Sequence, residues 1–302
     1  MTTRDTLKIA AAQYPIGEPG SLEAWRDKIA RWVADGAASG AEVLVFPEYA
    51  AIEQAAAFGP GVAGNLEATL KTVANLESER LDLHLQLAAR HQVHILVGSG
   101  PSRKGEGLYV NAAQLVTPDG SVGVQEKHIM TPFERDWGIS PGSGIRVFDT
   151  AVGRIGVAIC YDSEFPLLVR GMAEAGAEII LIPSCTERIS GYHRVRTGAR
   201  ARALENQIAT VLSPTVGDAP WSPAVDHNTG AAGIFVPSEP TVADDGILAE
   251  GVIDAPQWVS ATIDLGRLRA LRQAGEMRNF SDWANQPGAA CLAGKVEVVA
   301  LR

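Results

Sequence analysis

The chain has 302 residues, enough for one large domain or two small ones, and a hydrophobic content of 46% calls for a globular core rather than disorder. Its formal net charge is −9, and no Lys/Arg cluster of the kind that tracks phosphates is present, which argues against nucleic acid as a partner. Three widely spaced cysteines, Cys160, Cys185 and Cys291, make a poor disulfide framework, and no Cys-x-x-Cys spacing points to zinc.

The first residues, MTTRDTLKIAAAQYP, lack the apolar core of a signal peptide, and no later run is long enough to span a bilayer, so the expectation is a soluble cytoplasmic protein without membrane partners. Leu7 to Tyr14 reads as a strand closed by Pro15 and Gly17. Ser21 to Ala38 reads as a helix with Ser21 as N-cap, because Trp25, Ile29, Trp32 and Val33 recur at helical spacing. Val43 to Phe46 is a short buried strand that stops at Pro47-Glu48-Tyr49. A strand that ends in a turn carrying a carboxylate can aim a functional group, although a solvated loop glutamate fits the same pattern.

Leu66 to His91 is a long helical pattern broken near Ser78, and His94 to Gly98 is another buried strand. The following GSGPSR lacks the third glycine and the helix of a phosphate cradle. Tyr109 to Val116 and Val122 to Glu126 form a hairpin about Pro118-Asp119-Gly120. Lys127 to Gly144 reads as a loop, and loops of that length inside compact domains are usually functional or mobile. It carries Lys127, Glu134 and Trp137; Lys127 and Glu134 also suit a surface ion pair of little weight.

Ile145 to Asp149 and Ile155 to Ile159 are strands, the second running into a sharp turn and a helix from about Pro166. Cys160 stands at that turn. Free backbone N–H groups there stabilise a thiolate and a developing oxyanion, yet a small buried core cysteine suits the position equally. Glu178 to Pro183 is a buried strand leading to Cys185, His193 to Asn206 an arginine-rich helix, Ile208 to Ser213 a strand, and Thr215 to Thr229 a loop. Ala232 to Val236, Ile247 to Ile253 and Trp258 to Asp264 are closing strands before a last helix, Leu265 to Ala274, and an apolar end, Val296 to Leu301. No internal repeat or linker divides the chain, so a single α/β domain over 1–302 with mixed sheets is expected.

Glu48, Lys127, Glu134 and Cys160 thus mark strand ends and the loop between them. Their surroundings, VLVFPEY, EKHIMTPFE and GRIGVAICYDSEFP, resemble in order and spacing the motifs of the nitrilase, or carbon-nitrogen hydrolase, superfamily, and GAEIILIPS and ARARALENQ extend the resemblance over nearly the whole chain. The resemblance implies a four-layer α-β-β-α sandwich of two mixed sheets. It also implies a homodimer or larger even assembly, with residues 280–302 as a tail used in dimer contacts. It further implies hydrolysis of a non-peptide carbon–nitrogen bond without metal or cofactor, on a small amide, nitrile or carbamoyl substrate.

In that reading Cys160 is the nucleophile, Glu48 the proton-transfer base, Lys127 an oxyanion donor together with the Tyr161 backbone N–H, and Glu134 a group that orients Lys127 or the hydrolytic water. Tyr49, Tyr161 and Cys185 are expected to contact substrate. Pocket shape is expected to depend on the loops Ala51 to Gly64 and Ile189 to His193.

The pattern Lys127-x-x-x-Thr131-x-x-Glu134-Arg135-x-x-Gly138 resembles the loop of true nitrilases, whereas Cys160-Tyr161-Asp162 resembles the amidase and carbamoylase branches. The residue beside the nucleophile shapes the pocket directly, so an amidase is the reading adopted, with nitrilase and N-carbamoyl hydrolase as alternatives. A catalytically inactive binding module would need none of the four residues. Cys291 is expected to be structural, and Arg196 and Arg200, one helical turn apart, to pair with nearby glutamates or a subunit partner.

Overall fold

A computed structural model describes residues 4–105, 107–287, 289 and 296–301. Cys291 lies outside the described residues.

The first sheet is built from β1 (Thr6–Pro15), β2 (Val43–Val45), β3 (His94–Arg103), β4 (Tyr109–Val116) and β5 (Val122–Glu126). The second holds β6 (Ile145–Thr150), β7 (Gly153–Val157), β8 (Ile179–Ser184) and β9 (Ala209–Asp218), with β10 (His227–Asn228), β11 (Gly233–Phe235) and β12 (Ile247–Glu250) added beyond or beside β9. β13 (Gln257–Asp264) returns antiparallel to β1, and β14 (Val296–Leu301) pairs parallel with β6. Both sheets are mixed: β1, β2 and β3 run parallel while β4 and β5 are antiparallel, and β7, β8 and β9 run parallel while β6 and β11 are antiparallel. The sheets join at one corner, where Tyr14 and Pro15 of β1 pair with Thr215 and Val216 of β9.

Side-chain alternation sorts the first sheet into two faces. Leu7, Ile9 and Ala11 of β1, Val43 and Val45 of β2 and Leu96 of β3 share one core with Val157, Ile179 and Leu181 of the second sheet. The alternate residues, Ala10, Ala12, Tyr14, Leu44, Phe46 and Ile95, belong to a separate core on the opposite face. That face is covered by α1 (Leu22–Ala38) and by the later of the helices α2 (Pro60–Ala63), α3 (Leu66–Asn75) and α4 (Glu77–His91), through Trp25, Ile29, Val33, Leu87 and Ala88. The second sheet carries helices in turn. After the short α5 (Pro132–Asp136), α6 (Pro166–Glu174) contributes Val169 and Met172, and α7 (Ile189–Asn206) contributes Val195, Ala199 and Ala203. The order helix, sheet, sheet, helix is the four-layer sandwich expected. α8 (Leu265–Ala274) and α9 (Asn279–Asp282) complete the α-helices of the described residues.

Several boundaries differ from the sequence reading. Ser21 caps α1 by accepting from the Ala24 N–H, and the helical break falls at Leu76 rather than Ser78. Residues 51–64 are not an irregular loop: Ala50–Phe58 form a 3₁₀ segment followed by α2. α7 starts at Ile189, four residues early, so 189–193 is a first helical turn rather than a loop. β9 runs on to Asp218, which shortens the loop expected from Thr215, and the strand expected to reach Ile253 ends at Glu250. The apolar end Val296–Leu301 forms an in-chain strand against β6, at the outer end of the sheet order. Glu134 does not lie in a flexible loop. It is the third residue of α5, where Thr131 and Glu134 form a reciprocal capping box.

Candidate active site

Strand ends of both sheets converge on one buried cluster. Glu48 follows β2 and bridges to Ser99 of β3, while its carbonyl accepts from the Thr215 hydroxyl of β9 at 2.7 Å. β3 can press this close because Gly98 takes φ +89°; a Cβ there would stand 2.2 Å from the Pro47 carbonyl oxygen. Lys127 follows β5 and stays zipped to β4 by its N–H, which donates to the Asn111 carbonyl at 2.8 Å.

Cys160 follows β7 and opens a 3₁₀ turn, Cys160–Glu164, before α6. Both Cys160 (φ 47°) and Tyr49 (φ 59°) hold the left-handed conformation that side chains rarely adopt. Such strain persists where surrounding structure imposes it, commonly at functional sites. Gly198 of α7 lets the turn pack tightly, since a Cβ there would meet the Ser163 carbonyl oxygen at 3.0 Å.

All four candidate residues are buried: Glu48 and Lys127 are 1% exposed, Glu134 2% and Cys160 5%. The Lys127 Nζ lies 2.7 Å from Glu48 Oε1 and 2.7 Å from Glu134 Oε2. The remaining contacts separate the two carboxylates. Glu134 Oε1 accepts from the Tyr49 hydroxyl at 2.8 Å and the Asn111 amide at 2.9 Å. Its Oε2 accepts from the Thr131 N–H and hydroxyl at 2.9 and 3.0 Å as well as from Lys127. Glu48 Oε1 accepts from Lys127 and from Asn111 at 2.8 Å, and its Oε2 from the Cys185 N–H at 3.0 Å. The Cys160 thiol donates to the Cys185 carbonyl at 3.8 Å and interacts with the Glu48 carboxylate beside it.

The electrostatics follow from these contacts. Burial, opposed by Lys127 and reinforced by Glu134, raises the Glu48 carboxyl above its ordinary value. Burial acts on Glu134 too, but the Lys127 ammonium and the donors on its oxygens outweigh it and hold the group below its ordinary value. Burial and the neighbouring Glu48 raise the Cys160 thiol strongly, so the resting sulfur is protonated. Lys127 is held firmly protonated, its desolvation overcome by Glu48 and Glu134. Such a set can pass a proton from sulfur to Glu48 while a fixed ammonium faces any oxyanion that forms.

The other expected contacts are placed as follows. Cys185 contributes its main chain to Glu48, and its thiol sits 3.1 Å from Asn228 Oδ1. Tyr49 packs edge-on against Trp137 at 5.7 Å, and its hydroxyl donates to Glu134. Tyr161 is half-buried against Phe165. Tyr49, Trp137, Cys185 and Trp221 belong to one apolar cluster beside the carboxylates, and Trp137 also lines an open cavity of about 450 Å³. Arg196 pairs with Glu250, and Arg200 donates to the Asp245 carbonyl at 2.7 Å.

Three site residues were not singled out from the sequence. Asn111 touches both carboxylates; Ser184 Oγ lies 3.3 Å from the Cys160 sulfur; and Asp162 accepts from the His128 and Ile129 N–H groups at 3.1 and 2.8 Å, tying the cysteine turn to the Lys127 segment. Asn111 carried a signal: an asparagine inside the apolar strand YVNAAQLV, 0% exposed, must bond to something.

The carbon-nitrogen hydrolase family model matches residues 8–273. The chain is 36% identical over 280 residues to a protein of Bacillus subtilis (strain 168) described as a probable hydrolase, YhcX, covering 91% of this chain and 53% of that protein. The first curated relatives are matched over only about half their length. An omega-amidase of Xenopus laevis, NIT2-B, is 26% identical over 257 residues, covering 82% of this chain and 85% of its own. The crystal structure of a carbon-nitrogen hydrolase from Helicobacter pylori G27 superposes with a TM-score of 0.73 at 22% identity, covering 89% of this chain and 92% of its own. The family model over residues 8–273 places this chain in the carbon-nitrogen hydrolase family.

Proposed function

We propose that this chain is an amidase that converts a small carboxamide to the carboxylic acid and ammonia through a thioester on Cys160. One observation carries the reading: a thiol on a strained turn faces a carboxylate of raised proton affinity, with a buried ammonium fixed beside that carboxylate. A carboxamide carbonyl is a poor electrophile, and a covalent route splits one hard step into two.

Cys160 gives its proton to Glu48 as the sulfur attacks the carbonyl carbon. Lys127 and the Tyr161 backbone N–H stabilise the oxyanion of the tetrahedral intermediate. The carbon–nitrogen bond breaks, the departing nitrogen takes the proton held by Glu48, and ammonia leaves. Water then gives a proton to Glu48 and attacks the thioester; collapse releases the acid and returns the proton to sulfur. Glu134 remains ionised throughout, since donors occupy both its oxygens, and its part is to hold Lys127. The relatives include both bifunctional nitrilases and omega-amidases, so the amide reading rests on the Cys160-Tyr161-Asp162 turn, and the Thr131–Glu134 capping box gives the nitrilase-like loop motif a structural reason independent of substrate.

A panel of small carboxamides, nitriles and N-carbamoyl compounds, read by ammonia release, tests the assignment. Release from carboxamides that vanishes in Cys160→Ala is the expected result; release confined to nitriles or carbamoyl compounds would replace the amidase reading. We further propose a homodimer in solution, which sedimentation at micromolar concentration checks.

A further inference from the structure

The Asn111 side chain is wholly buried and its amide nitrogen donates to Glu48 Oε1 at 2.8 Å and to Glu134 Oε1 at 2.9 Å. Among the described residues its amide oxygen has no partner. The oxygen therefore does not dictate the orientation; the two carboxylates do. A flipped amide would set an oxygen against two carboxylate oxygens, which only protonation of both could relieve. The Asn111 carbonyl meanwhile fixes the Lys127 backbone. One residue of β4 thus fastens the ammonium's chain segment and one oxygen of each carboxylate beside it.

We propose that Asn111 is a positioning residue that keeps Glu48 an ionised acceptor directed at Cys160 and so sets the acidity at which the thiol can be activated. The titratable groups facing Glu48 are Lys127 from the end of β5, Glu134 from α5, Cys160 from its turn, Cys185 from the end of β8 and Tyr49 from the 3₁₀ entry. Of these, Lys127 alone brings positive charge, and Glu134 shares it. The Asn111 dipole adds a donor to each carboxylate without adding a charge. Hydrogen bonds to charged groups are stronger than neutral ones, and donation to the ionised form lowers the proton affinity of a carboxylate. Removing the donor therefore leaves Glu48 protonated to higher pH.

This inference rests on Cys160 as the proposed nucleophile but not on the identity of the substrate. Alkylation of Cys160 by iodoacetamide, followed by peptide mass spectrometry between about pH 5 and 9, reads thiol activation directly. In Asn111→Leu the acid limb of the Cys160 rate moves up by on the order of one pH unit. In Asn111→Asp, which replaces the donor with a third carboxylate, it moves further. A uniform fall at every pH, with the limb unmoved, would reduce Asn111 to a structural role and overturn the proposal. If neither variant folds, exchange of the wild-type Asn111 side-chain amide protons decides: protection that is lost only as the acid limb is crossed supports the proposal, and rapid exchange at all pH overturns it. Wild-type Cys160 that alkylates no faster than Cys185 would instead defeat the nucleophile assignment.

Discussion

Glu48 and Glu134 share the same two donors, the Lys127 ammonium and the Asn111 amide, yet their proton affinities are driven in opposite directions. The difference lies in the remaining contacts. Glu134 adds the Tyr49 hydroxyl and two donors from Thr131; Glu48 adds only the Cys185 N–H and the thiol it would deprotonate. Pairs of carboxylates whose surroundings separate them in this way commonly divide into one that moves a proton and one that stays charged.

On this reading Glu48 must be ionised to act, so the acid limb of kcat/KM lies above the ordinary carboxylate range, and activity rises with pH as Glu48 loses its proton. Glu48→Gln lowers kcat/KM by about 10²–10⁴ and removes the limb. Glu134→Gln keeps it while slowing turnover, because Lys127 loses one of its anchors. A pH–rate profile of each variant checks the division of roles.

Lys127 combines a catalytic and a structural burden. Its loss leaves two carboxylates buried without their shared counter-ion. Lys127→Met should lower kcat by about 10²–10³ as a missing oxyanion donor does, and should cost about 3–5 kcal/mol in folding stability at neutral pH. Urea denaturation and steady-state kinetics on the same sample separate the two effects.

Asp162 titrates where enzymes are usually assayed. Burial, opposed by the Ile129 N–H, the Lys127 charge and the His128 N–H, raises its carboxyl to about 7. A folded-state value above the unfolded one means that its contribution to stability is complete below the unfolded value of about 3.9 and is lost as pH rises through about 7. Asp162→Asn cannot ionise, so its stability relative to wild type improves between pH 5 and 8. Denaturation midpoints of both proteins at about those two pH values test the sign; a relative loss for the variant at the higher pH would reverse it.

Much of the frame was legible because it rests on local rules. The apolar runs LKIAAAQY and VLVF, stopped by Pro15 and Pro47, marked strands whose two faces belong to two cores. Ser21 and the spacing of Trp25, Ile29 and Val33 gave α1 its start and its buried stripe. The candidate site was legible where a strand ended in a reactive side chain, and the four residues singled out share one hydrogen-bonded cluster.

What stayed hidden depends on long-range contact. Glu134 looked mobile because KHIMTPFERDWG is rich in turn formers, although Thr131 three residues before it was a capping signal. Asn111 looked like an ordinary strand residue because its partners lie 63 and 23 positions away in sequence. The apolar end Val296–Leu301 gave no sign of its strand partner, because β6 lies far back in the chain.

The central claim is that Cys160 carries the acyl group. Rapid quenching of the enzyme with a turned-over carboxamide, followed by peptide mass spectrometry, tests it most directly. The account predicts an adduct of the acyl mass on the Cys160 peptide, present in Glu134→Gln and absent from Glu48→Gln, with Cys185→Ala retaining substantial turnover. An adduct on Cys185, or undiminished turnover by Cys160→Ala, would contradict it.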